Sequence, residues 1–372
     1  MRGHPRQAWP PQRGVWTSGV AFGYVMEPMT IHESSQRSDD ARQRTPAGRS
    51  PRCAARVRWA LRMGERRDRR SAACAVLLVG LWGLWPGTVR AQGDVYDLPM
   101  ERKLELAKPF HTKEREPMAP FTLVGNVHYV GARNIASYLI TTQAGHILID
   151  SGVTEMESDI LANIEQLGFV PGEVEILLSS HAHFDHVQGH EAIRRATGAR
   201  VLAMAGDAEA LRGGRDLSPL GFEGWAPVKV ERTLEHGEMV ELGGQRLTAH
   251  HIPGHTPGCT VWTTDVADGG ETLRVAFFGC SGPNRGVRLT GNPRFPRLVE
   301  DTRLGYERLR AITPDIYVTG HPESLFADRI EALRRGERPH PLRTQQPWQD
   351  FVAELERAFA ARVEAERAGG AD

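Results

Sequence analysis

One stretch constrains this chain more than any other. Glu173–Ser180, "EVEILLSS", is a compact apolar run of the kind that forms a buried strand, and it leads directly into His181–His186, "HAHFDH". A strand ending in His-x-His-x-Asp-His turns four side chains with ligand atoms into one cup at a sheet edge. Imidazoles plus a carboxylate suit zinc, which accepts nitrogen and oxygen donors without a strict geometric demand. The chain has 15 histidines in 372 residues, too few for this spacing to arise readily by chance.

If the cup holds two ions, further histidines must reach it from other strand ends. "HIPGHTPG" offers His251 and His255, with His250 just before, but only His255 sits in a Gly/Pro-rich loop where backbone can approach a metal closely. His250 and His251 lie in the preceding strand and read as packed or surface residues. "DIYVTGHP" places His321 immediately after another buried strand. Asp150 ends the strand "GHILID". It could accept a hydrogen bond from a ligand imidazole and fix its tautomer, or cap the turn before Ser151-Gly152.

The surrounding pattern is an alternation of strands and helices. "NVHYVGA" and "IASYLITTQAGHILIDSG" read as strands, with Gln143 to His146 as a turn. "MESDILANIEQLG", "GHEAIRRATG" and "GDAEALRGG" read as helices separated by the strands "EVEILLSS" and "ARVLAM". The second half repeats this. "KVERTLEHGEMVELGGQRLTAHHI" holds several short strands and "CTVWTTDVADGGETLRVAFFGC" a hairpin. "VEDTRLGYERLRAI" and "WQDFVAELERAFAARVEAERA" are amphipathic helices flanking the strand "DIYVTG". Such alternation predicts an α/β domain with sheets covered by helices. No repeat and no phosphate-cradling glycine loop is present.

The hairpin predicts a disulfide. A two-residue turn at Gly269-Gly270 sets Asp268 opposite Glu271, and counting back sets Cys259 opposite Cys280. Alternation makes this a non-hydrogen-bonded pair with Cα atoms about 4.5 Å apart, within the range a disulfide tolerates.

The N-terminal region reads differently. Residues 1–62 are rich in Arg, Pro and Ser without an apolar period, and are expected to be a disordered extension preceding the true start codon. An ordered cytoplasmic extension is the alternative. Met63–Gln92, "MGERRDRRSAACAVLLVGLWGLWPGTVRAQ", has the layout of a secretory signal peptide cut after Ala91. The alternative is an uncleaved anchor, for which the apolar stretch Ala72–Trp85 is short. No Cys follows as a lipid anchor. The mature chain, from about Gln92, is expected in the periplasm or outside the cell, without stable membrane association. Of four cysteines, Cys53 and Cys74 lie in the removed part, and the even pair left behind fits an oxidising compartment. Residues 92–120 are polar and Pro-containing, an arm laid on the surface, and the domain proper runs over 121–372. With 46 basic and 46 acidic residues, the composition gives no support for a nucleic-acid partner. The closing helix is charged on one face, so a monomer is expected.

HAHFDH, then GHTPG (Gly254–Gly258), then a strand followed by GHP (Gly320–Pro322), resembles the metallo-β-lactamase superfamily. "LTGNPRFPRLVEDTRLGYERLRAITPDIYVTGHP" (Leu289–Pro322) resembles its subclass B3, and the likeness extends from about Phe121 to His321. The resemblance implies a four-layer αβ/βα sandwich with the active site at the edge of two sheets. It implies two zinc ions per chain: His181, His183 and His255 for the first, and Asp185, His186 and His321 for the second. It places Ser281 at the subclass's active-site serine, which binds water or a substrate carboxylate. An alignment slipped by one residue would make Cys280 a ligand instead. A further serine of the subclass is replaced by Pro283, with Asn284 and Arg285 as weak substitutes for substrate binding.

The activity implied is hydrolysis of the β-lactam ring of penicillins, cephalosporins and carbapenems by a zinc-bound hydroxide. Zinc brings water to a near-neutral pKa, and two ions about 3.5–4 Å apart can share it. Asp185 would orient that nucleophile while serving as a ligand. The rival is a thioesterase or lactonase of the same superfamily, which usually places a bridging Asp where "FFGCSG" offers only Cys280 and Ser281. A nuclease of the superfamily fits neither export nor the balanced charge. A non-catalytic zinc protein fits poorly, because structural zinc sites are normally closed and four-coordinate.

Overall fold

Strand after strand in this chain is apolar on both faces, and the reason is its place between two packed layers. The computed structural model describes residues 94–369, except 223, 338, 339, 345 and 346. The expected extension over 1–62 and the signal peptide over 63–91 lie outside the described residues.

A turn at Val95–Asp97 precedes helix α1 (Met100–Ala107). Strands β1 (Phe121–Val124), β2 (Val127–Tyr129), β3 (Tyr138–Thr142) and β4 (Gly145–Ile149) then form an antiparallel meander. Helix α2 (Glu157–Gln166) crosses to β5 (Val174–Leu178). Helices α3 (Phe184–Val187) and α4 (His190–Thr197) cross to β6 (Arg200–Met204), and α5 (Ala205–Gly213) to β7 (Val230–Leu234). From β4 onward this seven-stranded sheet is parallel, because each crossover is helical.

The second sheet has five strands in the order β12-β11-β10-β9-β8. Strands β8 (Met239–Leu242), β9 (Gln245–His251), β10 (Thr260–Asp268) and β11 (Glu271–Phe278) are antiparallel. Helix α6 (Leu298–Arg310) leads to β12 (Ile316–Thr319), which runs parallel to β11. Helices α7 (Glu323–Arg334) and α8 (Trp348–Gly369) complete the chain.

Alternation assigns the layers. Ile140, Ile147, Ile149 and Leu178 face the second sheet and pack with Trp262, Val275 and Phe277. Their neighbours Leu139, Leu148 and Leu177 face the other way, against Ile160 and Ile164 of α2, Ile193 of α4 and Leu211 of α5. The far side of the second sheet is covered by Tyr306 and Leu309 of α6 with Phe351, Val352 and Phe359 of α8. The result is the four-layer αβ/βα sandwich. Among the described residues, no helix is long and apolar enough to cross a membrane.

Five details differ from the sequence reading. The arm contains α1, an eight-residue run of good helix formers between Pro99 and Pro109. Strand β1 and helix α7 were not anticipated. His146 lies in β4 opposite Thr141, so the turn is confined to Gln143-Ala144. Cys259 and Cys280 form a disulfide, and Asp268 does face Glu271, but the cysteine Cα atoms are 6.4 Å apart rather than about 4.5 Å. Both cysteines lie just past the strand ends, where the ladder no longer holds the chains close.

Candidate metal centre

The ends of β4, β5, β9, β11 and β12 converge on one edge of the sandwich. Register explains this: Ile149 pairs with Leu178, and Phe278 with Thr319, so the residues just after each strand emerge together. Those residues are Asp150, Ser180-His181, Gly279–Ser281 and Gly320-His321.

The structure brings the six sequence-identified side chains into two groups, His181, His183 and His255, and Asp185, His186 and His321. Within each, the ligand atoms lie within 4.8 Å of one another. In the first, ring centroids are 4.5 Å (His181–His183), 4.6 Å (His181–His255) and 4.5 Å (His183–His255) apart. In the second, Asp185 Oδ2 is 3.4 Å from His186 Nε2 and 3.3 Å from His321 Nε2. His181 and His186, at 4.2 Å between centroids, join the groups.

Hydrogen bonds on the far ring atoms set the tautomers. His255 Nδ1 donates to the Gly282 carbonyl at 2.8 Å, and His321 Nδ1 to the Asn134 carbonyl at 2.8 Å. His186 Nδ1 donates to Asp150 Oδ2 at 3.0 Å. A carbonyl or carboxylate acceptor requires the proton on Nδ1, which leaves Nε2 as the lone-pair atom turned into the cup. The Nε2 atoms of His181, His183 and His186 are buried and make no hydrogen bond. Buried imidazole nitrogens without partners are costly unless something else meets them, and a metal ion does. The donor set, five imidazoles and one carboxylate in two open groups of three, therefore fits catalytic metal ions.

Electrostatics agree. Burial, and then the neighbouring imidazoles, hold His181 and His183 well below the usual histidine range, and burial pushes His255 down to about 4. All three are neutral at pH 7, as ligation requires. Burial opposes ionisation of Asp185, but His186 and His321 beside it hold its carboxyl well below the usual carboxylate range. Burial likewise opposes charge on His186, yet Asp185 and Asp150 raise its pKa above the ordinary value.

Of the two roles that the sequence left open, Asp150 takes the first, holding the His186 imidazole, and its carboxylate does not cap the turn at Ser151-Gly152. It ends β4 with φ of 61°, a left-handed conformation that Asp tolerates better than most residues. Its carboxylate accepts from Ser180 N at 2.7 Å and Ser180 Oγ at 2.7 Å as well as from His186.

Other candidates fall outside the cup. His250 Nε2 meets Thr263 Oγ1 at 2.8 Å, and His251 Nε2 donates to the Pro257 carbonyl at 2.7 Å. The sulfur of Cys280 is committed to Cys259, which removes it as a ligand. Ser281 is exposed, in the segment between Cys280 and the Gly282 carbonyl that holds His255. Its own carbonyl accepts the Tyr306 hydroxyl at 3.1 Å. Asn284 lines a cavity beside His255 with Tyr96, Pro219, Pro283 and Phe295, while Arg285 is exposed. Tyr96 comes from the N-terminal arm, and no local sequence pattern signals its place here.

Sequence reasoning missed Asp207, which is 1% exposed at the start of α5. Its carboxylate accepts from Ala182 N (2.8 Å), Thr256 Oγ1 (2.7 Å) and Gly258 N (2.6 Å), and burial pushes it up to about 6. In sequence it is one acid in a helical first turn, and no local pattern signals a reach to loops 25 and 49 residues away. His190 was also missed. It is fully buried, with Nδ1 2.7 Å from Ser151 Oγ, behind the His186 turn.

Comparisons with known proteins bear on this geometry. The native metallo-β-lactamase FEZ-1 from Legionella gormanii is 32% identical, covering 68% of this chain and 98% of its own, with a TM-score of 0.64. BJP-1, a subclass B3 metallo-β-lactamase of Bradyrhizobium japonicum, is 34% identical, covering 69% and 98%, with a TM-score of 0.63. Among curated sequences, the hydroxyacylglutathione hydrolase of Rhodospirillum rubrum is 32% identical over 111 residues, 30% of this chain and 35% of that protein. That of Maricaulis maris is 28% identical over 214 residues, 50% and 72%. This chain thus spans only about a third of the first of these curated relatives. Residues 130–321, from the end of β2 to His321, match the model of the metallo-beta-lactamase superfamily. With the two-sheet sandwich and the edge cup, this match shows that the chain belongs to the metallo-beta-lactamase superfamily of hydrolases.

Proposed function

We propose that this chain is a zinc-dependent β-lactamase that opens the ring of penicillins, cephalosporins and carbapenems. The observation that carries the reading is the segment after β11. There the chain presents Gly279, a disulfide-bonded Cys280 and Ser281, so Asp185 is the one carboxylate in the two ligand groups. A superfamily thioesterase or lactonase usually adds a bridging Asp at that segment. The similarity to FEZ-1 and BJP-1 over 98% of their length supports the same choice.

Zinc suits five imidazoles and one carboxylate, and when bound it supplies Lewis-acid polarisation of a carbonyl and acidification of water to near-neutral pH. His181, His183 and His255 would hold one ion as neutral donors, and Asp185, His186 and His321 the other. Asp150 fixes the His186 ring through Nδ1. Asp185, kept ionised by the two imidazoles beside it, accepts a hydrogen bond from the attacking water and so orients it toward the lactam carbonyl. Ser281 and Asn284 flank the cup at the His255 side and are assigned to the substrate's polar groups. No covalent intermediate on the protein is required. The exported location expected from Met63–Gln92 is supported by the Cys259–Cys280 disulfide, which persists in oxidising compartments.

The second reading, a thioesterase, is favoured by the hydroxyacylglutathione hydrolase relatives. A chromogenic cephalosporin and a glutathione thioester separate the two. Cephalosporin turnover abolished by chelator and restored by zinc is the expected result. Thioester hydrolysis without cephalosporin turnover, from folded zinc-loaded protein, would overturn the β-lactamase reading.

A further inference from the structure

The first ligand group is assembled across the gap between the two sheets, which the bond from Thr260 N to the Ser180 carbonyl crosses beside His181 without reaching the His183 and His255 loops. His181 and His183 follow β5 of the seven-stranded sheet, while His255 follows β9 of the five-stranded sheet. Their spacing needs a tie between the two loops themselves. Asp207 makes that tie: it receives the N–H of Ala182, which lies between His181 and His183, and the hydroxyl of Thr256, which adjoins His255. It also receives the N–H of Gly258 on the same loop.

Packing around this carboxylate leaves no slack. A Cβ on Gly258 would sit 2.6 Å from the Asp207 Cγ, and one on Gly206 2.5 Å from the Pro257 carbonyl carbon. Three donors converge on a buried acid that has no cation among the groups acting on it. Burying a carboxylate on neutral donors alone is costly, so its retention calls for a task. Aspartate suits that task because it is acceptor-only, with two oxygens. An amide offers one oxygen and turns an NH2 toward a donor. The second ligand group makes none of these contacts; its support is Asp150 on His186 and the Asn134 carbonyl on His321.

We propose that Asp207 is the positioning residue that sets the spacing of His181, His183 and His255, and so governs metal affinity at the first group alone. This rests on the reading that the cup holds zinc, but not on the substrate. The test uses the full chain in two backgrounds: His186→Ala, which leaves the first group intact, and His255→Ala, which leaves the second. Zinc affinity is read by competition with a chromophoric chelator. Asp207→Asn is expected to weaken binding about 10- to 100-fold in the His186→Ala background, the usual effect of losing a partner behind the ligands, and less than about twofold in the His255→Ala background. Thr256→Ala removes one of the three donors without leaving an unpaired charge. It should show the same one-sided pattern at several-fold, and it answers the question if Asp207→Asn does not fold. Equal losses in both backgrounds would mean a general structural role, and no loss in either would mean no role; both overturn the proposal. A His186→Ala parent that binds no zinc overturns it together with the zinc reading. Failure to hydrolyse a β-lactam leaves these affinities unchanged.

Discussion

Replacing Cys259 and Cys280 together by alanine tests how the hairpin beside the cup is held. The bond closes a loop of 21 residues, and the loss of chain entropy from the unfolded state that such a link imposes is worth about 3 kcal/mol at 25 °C. Both residues are buried, at 0% and 3% exposure, so removing the sulfurs adds a small packing loss of the same sign. Alanine is the right substitute because it leaves no hydroxyl in the core. Urea unfolding followed by tryptophan fluorescence measures the effect. At an m of about 3 kcal/mol/M, the midpoint falls by about 1 M, and m itself rises slightly because the unlinked unfolded chain is less compact. The folded cup should survive. The β10–β11 ladder, the Thr260 N to Ser180 carbonyl bond at 2.8 Å and the His255 to Gly282 bond at 2.8 Å do not pass through the sulfurs. If the cup holds zinc as proposed, its stoichiometry in the absence of urea is therefore expected to be unchanged. A midpoint shift under about 0.3 M, or a loss of zinc with no shift, would refute the reasoning: the bond would then act on the native site rather than on the unfolded chain.

Three further outcomes are expected. In Gly320→Ala the new Cβ would lie 2.6 Å from His186 Cε1, so the ring must move; equilibrium dialysis should show zinc binding at the second group weakened at least about tenfold, with an overpacking cost of about 1–3 kcal/mol. Asp150→Asn exchanges the carboxylate that holds His186 Nδ1 and Ser180 for an amide, and should lower zinc affinity or turnover about 10- to 100-fold while the far-ultraviolet circular dichroism stays native. Burial, and then the neighbouring His146, push His128 down to about 4 from 6.5. The unfolded chain therefore binds the extra proton first: the contribution to stability is present above pH 6.5 and is lost as pH falls toward 4. Unfolding free energy measured against pH should decline less steeply through that window in His128→Gln than in the parent, and parallel curves would rule this out.

Much of the site was legible because its information is local. His181, His183, Asp185 and His186 fall within six residues at the end of one apolar strand, so their convergence needs only the strand and one helical turn. The Gly269-Gly270 turn fixes the β10–β11 register, which carries as far as the cysteines. Helices α2, α4, α5, α6 and α8 follow from the 3.6-residue period of their apolar positions. Helix α1 was obscured by the flanking prolines and by its lack of a wide apolar face; only Ala107 in it is buried.

What the sequence by itself determined is the His181–His186 cluster at a strand end and the alternation of strands and helices, because periodicity and turn chemistry act over a few residues. The six candidate ligands as a set and the αβ/βα layering were implied by the family resemblance of its motifs. What only the tertiary structure decided is which atoms stand behind the ligands: Asp207 between two loops, Asp150 on both Ser180 and His186, the Asn134 carbonyl on His321 across 187 residues, and Tyr96 of the arm at the cavity beside His255. Such partners are chosen by which donors and acceptors come within about 3 Å when the two sheets pack, and a one-dimensional pattern does not encode that distance.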